Sequence, residues 1–149
     1  MRNLKALLCI NGIPMSKFFV LLFSLYSVNA LSDDFNCDEA MTTPQVNYCA
    51  GVELEKAQHE MNAYLVKSKE HNNGDLELIK SINVAQKAWL LYADAHCDSI
   101  YTQWRDGTIR GVMSLSCKTK VTKQRTHEIW ANFLAYIDST PAVLPEPEL

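Results

Sequence analysis

The cysteines are the residues of this sequence whose type and spacing point most directly to chemistry. Five are present, and one of them, Cys9, falls in the first thirty residues, a segment with the features of a removable leader. The four that remain are Cys37, Cys49, Cys97 and Cys117. An even number of cysteines in a small exported domain is typical of a disulfide framework, and three connectivities are open at this point.

The other reactive side chains do not form a catalytic or metal-binding pattern in the sequence. The four histidines share no ligand spacing. His127-Glu128 is only half of a zinc-protease motif, because Ala131 stands where the second histidine belongs. Acidic pairs lie in a terminal segment or on the polar side of a predicted helix, and no serine has the glycine frame of a nucleophile elbow. We therefore expect no metal, no cofactor and no enzymatic activity.

The N-terminal residues have the features of a cleavable signal peptide. Basic residues precede an apolar run over 18–26, and a small-residue cleavage site, Ser-Val-Asn-Ala, follows it. We place the mature N-terminus near Leu31, so 1–30 is the predicted signal, and the start of translation is open between Met1 and Met15. The run is too short for the roughly 20 residues of a transmembrane helix, and no cysteine follows it closely enough for a lipid anchor.

Removal of this signal makes the protein clearly acidic. It takes away three basic residues and no acidic one, so the formal charge changes from −3 to −6. An acidic surface repels nucleic acid and anionic lipid and accelerates encounter with basic partners. We expect a periplasmic or secreted protein that contacts neither nucleic acid nor, after signal cleavage, the membrane.

Three segments repeat apolar residues every three or four positions, which is the spacing of an amphipathic helix. The first is predicted to begin at Thr42 or Thr43, with a hydroxyl cap and a proline in the first turn, and to end near Lys69. The second is predicted to begin after the capping residue Asp75 and to end near Trp104. A turn rich in Asn and Gly separates them.

The third segment has Thr108 as its predicted cap and Ile137 as its last apolar position. Helices joined by such short connections bury their apolar sides against one another. We therefore predict an all-α fold, a small antiparallel bundle of three long helices over 31–138. The Pro- and Glu-rich residues 139–149 are expected to be disordered.

This topology also suggests how the cysteines pair. Antiparallel packing of the second and third helices brings Cys97, late in one, toward Cys117, early in the next. The remaining pair, Cys37 and Cys49, would tie the start of the mature chain to the first helix. Each bridge closes roughly ten to twenty residues and stabilises the fold by about 3 kcal/mol in the chain-entropy model.

A series of short motifs runs through the three predicted helices: Asn62-Ala63-Tyr64, Ala85-Gln86-Lys87-Ala88-Trp89-Leu90, Asp94-Ala95-His96-Cys97, Gly107-Thr108, Cys117 and Thr122-x-x-Arg125-x-x-Glu128-Ile129. With the four cysteines, these motifs in this order resemble the LprI-type lysozyme-inhibitor family over Cys37 to Ile137. One departure is Ala93, where the family usually has an arginine. The resemblance implies a small helical envelope protein, with lysozyme inhibition among some relatives.

The residues that carry the family pattern are more typical of structure than of a binding site. A Trp and an Arg on facing helix sides usually form core and a semi-buried hydrogen-bond network. We therefore treat this set as structural: Gln86, Trp89, Thr122 and Arg125.

The candidate interface lies instead in the connection between the second and third helices. Aromatic and arginine side chains suit interfaces, and this segment offers Tyr101, Trp104, Arg105 and Arg110. The first hypothesis is a lysozyme inhibitor whose partner is a basic c-type lysozyme or a related muramidase. The alternative is a structural or stress-related periplasmic binding protein without antilysozyme activity.

Overall fold

The computed structural model describes residues 35–149, and all regular structure in that part of the chain is helical. A 3-10 turn is followed by three long helices: Cys37–Glu39, then α1 (Thr43–His71), α2 (Leu76–Gln103) and α3 (Arg110–Phe133). This confirms the predicted all-α class with three packed helices. The predicted signal peptide and mature N-terminus lie outside the described residues. From residue 35 onward, no helix is long and apolar enough to cross a membrane.

The first two helices begin with the caps that the sequence predicts. Thr42 accepts a hydrogen bond from the backbone N–H of Gln45 at 3.4 Å, and the Gln45 side chain accepts one from the Thr42 N–H at 3.0 Å. This reciprocal capping box satisfies two N–H groups that the first turn of a helix leaves without partners. Asp75 caps α2 by accepting from the N–H of Leu78 at 2.9 Å.

The start of α3 differs from the prediction. Thr108 does not cap it: the helix begins at Arg110, and its N-cap residue, Ile109, makes no side-chain capping bond. The residues just before it are used in a turn, in which the Gly107 N–H donates to the carbonyl of Trp104 at 2.9 Å. The helix therefore begins one residue later than a cap at Thr108 predicts.

The end of α3 also comes earlier than the apolar periodicity suggests. The N–H groups of Leu134 and Ala135 both donate to the carbonyl of Trp130, at 2.9 and 3.0 Å, which closes the last turn at Phe133. Ile137 lies beyond the helix and is fully exposed. The apolar position that extended the predicted helix is thus outside the core.

The C-terminal tail is packed onto the bundle, in contrast to the disorder expected from its composition. The N–H of Val143 donates to the Leu134 carbonyl at 2.7 Å, so the chain turns back after α3. The indole of Trp130 donates to the Leu144 carbonyl at 2.9 Å, and the hydroxyl of Tyr64 donates to the Pro145 carbonyl at 2.8 Å. The tail is thus held by hydrogen-bond donors on α1 and α3, and the composition of the tail alone does not predict these partners.

α3 packs against both other helices, whereas α1 and α2 contact each other much less. Because short turns join consecutive helices, α2 runs antiparallel to its neighbours in sequence, and α1 and α3 run in the same direction. One core cluster consists of Met61, Tyr64, Ile129 and Leu134, and a second one consists of Ala93, Cys97 and Val121. Trp89 packs against both clusters and connects them.

Both predicted disulfides are present. Cys37 is bonded to Cys49 and Cys97 to Cys117, each pair with its Cα atoms 5.6 Å apart. The first ties the 3-10 turn to α1, and the second ties α2 to α3. The two bridges hold the same end of the bundle, where α1 and α3 begin.

Candidate interaction surface

The end of the bundle formed by the α2–α3 connection carries the predicted interface residues, and the start of α1 lies beside it. Between them is an open groove of about 500 Å³. Its lining residues are Thr43, Pro44 and Asn47 from α1, and Arg105, Asp106, Gly107, Thr108 and Arg110 from the other side. We call this groove, together with the neighbouring Tyr101 and Trp104, the hairpin surface.

Arg110 is held in place at the centre of this surface. Its guanidinium carbon lies 5.1 Å from the ring centroid of Tyr101, within the range of a cation–π interaction. Its Nη1 also donates to the backbone carbonyl of Arg105 at 3.3 Å. The structure thus brings these three predicted residues together, and among residues 35–149 no carboxylate forms an ion pair with Arg110.

Trp104 and Arg105 are the more accessible members of the surface. Trp104 ends α2, where its N–H donates to the Ile100 carbonyl at 3.2 Å, and its side chain stays 40% exposed. Arg105 approaches the carboxylate of Asp106 only to 4.0 Å, with both side chains in solvent. Because such an exposed pair contributes little free energy, the Arg105 guanidinium is available to a partner.

The disulfide between Cys97 and Cys117 gives this end of the bundle a rigid base. Cys97 is fully buried, and its carbonyl accepts a hydrogen bond from the Ser114 hydroxyl at 3.3 Å. The parts of α2 and α3 on either side of the connection are therefore held together by a covalent bond and a buried hydrogen bond. A pre-organised loop loses less conformational entropy when it binds.

The contribution of α1 to this surface is the part that sequence reasoning missed. Asn47 packs against the first turn of α3, where a Cβ at Gly111 would lie 2.8 Å from the Asn47 Oδ1. That oxygen is buried, and within residues 35–149 it has no hydrogen-bond partner. A glycine in the first turn of an otherwise regular helix was the available signal, since it permits close approach of another element.

The residues of the family pattern form a network that connects all three helices. The Arg125 Nε donates to Gln86 at 3.1 Å, and its Nη1 pairs with Glu128 at 3.0 Å. The amide nitrogen of Gln86 in turn contacts the sulfur of Met61 on α1 at 3.6 Å. This network lies in the middle of the bundle, away from the groove, as expected for residues with a structural role.

Two histidines that the structure describes outside this surface make contacts with neighbouring side chains. His127 lies 3.0 Å from Glu146 of the tail, and His71 lies 3.2 Å from the hydroxyl of Tyr136. Within the described range, no three His, Cys, Asp or Glu side chains are grouped as metal ligands. These contacts hold the tail and the end of α1 in place.

The chemistry that the hairpin surface offers is recognition. Two guanidinium groups, an indole and a phenol are exposed together on a covalently fixed loop. Guanidinium groups bind carboxylates through two parallel hydrogen bonds, and aromatic side chains provide buried area at interface centres. The surface is therefore suited to a partner that presents carboxylates.

Comparison with known proteins agrees with the motif pattern. A protein of Rhizobium meliloti (strain 1021), described as uncharacterized, is 23% identical over 121 residues, which cover 74% of this chain and 87% of the relative. No solved structure matches the chain. The family model described as "Lysozyme inhibitor LprI" matches residues 36–129, which contain all four bridged cysteines and the three-helix network. The chain therefore belongs to the LprI lysozyme inhibitor family.

Proposed function

We propose that the protein is an exported inhibitor of a lysozyme-type muramidase and that it binds its target through the hairpin surface. Membership in the family supports the activity. The two disulfides support export, because such bonds persist in oxidising compartments. The observation that carries the choice of surface is the pair Arg105 and Arg110, which project beside Trp104 from the covalently fixed connection.

The electrostatics of such a complex are favourable at two length scales. Lysozymes of the c type are basic proteins with two carboxylates in an open cleft. An acidic inhibitor is attracted to a basic enzyme over a long range, which increases the association rate. At short range the guanidinium groups of Arg105 and Arg110 would approach the cleft carboxylates and occlude the substrate. Binding alone accounts for inhibition in this scheme.

The test is lysis of a peptidoglycan suspension by a c-type lysozyme, with and without the exported, oxidised protein, together with a titration of complex formation. We expect saturable binding and inhibition. The variant Arg105→Glu/Arg110→Glu should weaken both by at least about tenfold, because it places two carboxylates opposite those of the enzyme.

A matched control for this variant is Lys67→Glu. Lys67 is also a cation at the surface, with its side chain 43% exposed and 3.5 Å from Glu70, but it lies twenty residues beyond Asn47 on α1, about 30 Å along the helix axis. The variant Lys67→Glu should inhibit lysozyme as strongly as the unchanged protein does. Normal inhibition by the double arginine variant would show that the protein binds its target through a surface other than the hairpin surface. Absence of both binding and inhibition across lysozyme classes would instead favour a binding protein for another envelope partner.

A further inference from the structure

The outer side of α2 carries an apolar stripe that no described element covers. Val84 is 60% exposed and Leu91 is 74% exposed, and both lie on the side of the helix opposite Ile82, Gln86 and Cys97. Two exposed alanines, Ala88 and Ala95, continue the stripe. The positions 84, 88, 91 and 95 follow the alternating four- and three-residue spacing of a helix that packs along another helix.

Charged residues accompany this stripe on one flank only, and their order along the helix is significant. Lys80 and Lys87 lie in the first half of α2, and Asp94 and Asp98 lie in the second half. At 100° per residue all four fall on the same edge of the stripe. Within residues 35–149, Asp94 is paired with Lys118 at 2.9 Å, and the other three form no ion pair.

We propose that a second copy of this protein binds this stripe, with the two α2 helices antiparallel about a twofold axis. In an antiparallel pair the same flank of each helix faces its counterpart, so Lys80 of one copy meets Asp98 of the other, and Lys87 meets Asp94. In a parallel pair the charged flank would face the uncharged flank. The arrangement of charges therefore favours a second copy of this protein as the partner, with its α2 helix antiparallel to the first.

The apolar positions agree with the same register. Val84 opposes Ala95 of the other copy, and Ala88 opposes Leu91, so each large side chain faces a small one. These two pairs and the two charge pairs are all centred between residues 89 and 91, so a single axis satisfies them. The contact from Lys80 to Asp98 is about 27 Å long, which is short for a permanent interface, and the dimer forms in a concentration-dependent way.

This interface is separate from the hairpin surface, so the inference does not rest on the proposed inhibition. The experiment is analytical ultracentrifugation of the exported, oxidised protein over a range of concentrations. The unchanged protein should shift from monomer to dimer as its concentration rises, and Leu91→Glu should remain monomeric. Leu76→Glu is the matched control, because Leu76 is 77% exposed but lies in the first turn of α2, outside the stripe. It should dimerise normally.

Charge exchange tests the antiparallel register. Lys80→Asp and Asp98→Lys should each raise the dimer dissociation constant several-fold, because each places like charges opposite one another. The double variant Lys80→Asp/Asp98→Lys should return it to within about twofold of the original value. A monomer at all concentrations, an undisturbed dimer in Leu91→Glu, or a double variant weaker than both single ones would overturn the proposal. Circular dichroism of each variant serves as the control for correct folding.

Discussion

Among the residues of the family motifs, Arg125 makes the hydrogen bond that connects α3 to α2. Its side chain is only 13% exposed, and it satisfies the buried amide oxygen of Gln86 on another helix. A buried polar group that loses its partner keeps its full desolvation cost. Arg125→Ala should therefore lower the free energy of unfolding by about 2 kcal/mol, measured by denaturant unfolding.

Glu128→Ala provides the control for that prediction. It removes the exposed partner of the same arginine, and it should cost less than about 0.5 kcal/mol, because pairs in solvent contribute little. The structural role also predicts that Arg125→Ala, when folded, binds its target like the unchanged protein. Lost binding at unchanged stability would mean that the network belongs to the interface after all.

The contact between Asn47 and Gly111 is a second property of single residues. In the unchanged protein, Gly111→Ala places a methyl group against the buried Asn47 amide, and the overlap should outweigh the gain in helix propensity of about 1 kcal/mol. In an Asn47→Ala background the space is free and the propensity gain remains. The same substitution should thus lower the melting temperature in one background and raise it in the other. Equal shifts in both backgrounds would show that Asn47 does not restrict this position.

At the scale of elements, the beginnings of α1 and α2 could be predicted, because their caps are encoded by residues next to the helix. The end of α3 could not. It depends on the Trp130 carbonyl and on a tail that folds back, and neither is visible in local periodicity. The tail itself was expected to be disordered because composition does not show that Tyr64, more than eighty residues away in sequence, donates a hydrogen bond to it.

Docking of the tail should depend on pH in the alkaline range. Burial of the phenol, followed by the nearby charge of Glu60, raises the pKa of Tyr64 above its ordinary value of 10.0. A group whose folded pKa is raised stabilises the protein below its unfolded pKa, and this contribution is lost as the pH rises through the folded pKa. Thermal unfolding should therefore show a loss of stability above about pH 10 as the hydroxyl loses the proton that it donates to Pro145.

Tyr64→Phe separates this effect from general alkaline denaturation. At neutral pH the variant should be less stable by about 1 kcal/mol, the typical net value of one hydrogen bond. Above pH 10 it should lose less stability than the unchanged protein, so the two curves approach each other. Curves that stay parallel up to pH 11 would show that the phenol does not control the docking of the tail.

For the whole molecule, the order of helices, the disulfide pairing and the connection with exposed Arg105 and Arg110 could be predicted, because short turns leave few ways to pack three amphipathic helices. Two features of the surfaces could not. The start of α1 joins the hairpin surface only because α1 and α3 run in the same direction. The stripe on α2 is exposed only because α1 packs mainly on α3. Both depend on which helix lies between the other two.

The net charge leads to a prediction about rates. Without residues 1–30 the chain has a formal charge of −6, whereas the proposed contact is made by two cations on one surface. Long-range attraction to a basic lysozyme acts on association and is screened by salt. Short-range contacts act mainly on dissociation. Rapid-mixing kinetics should show an association rate that falls about tenfold between low and high salt, with little change in the dissociation rate. The variant Arg105→Ala/Arg110→Ala should instead dissociate faster, with little change in its association rate. An association rate insensitive to salt would mean that the acidic charge of the protein plays no part in finding the target.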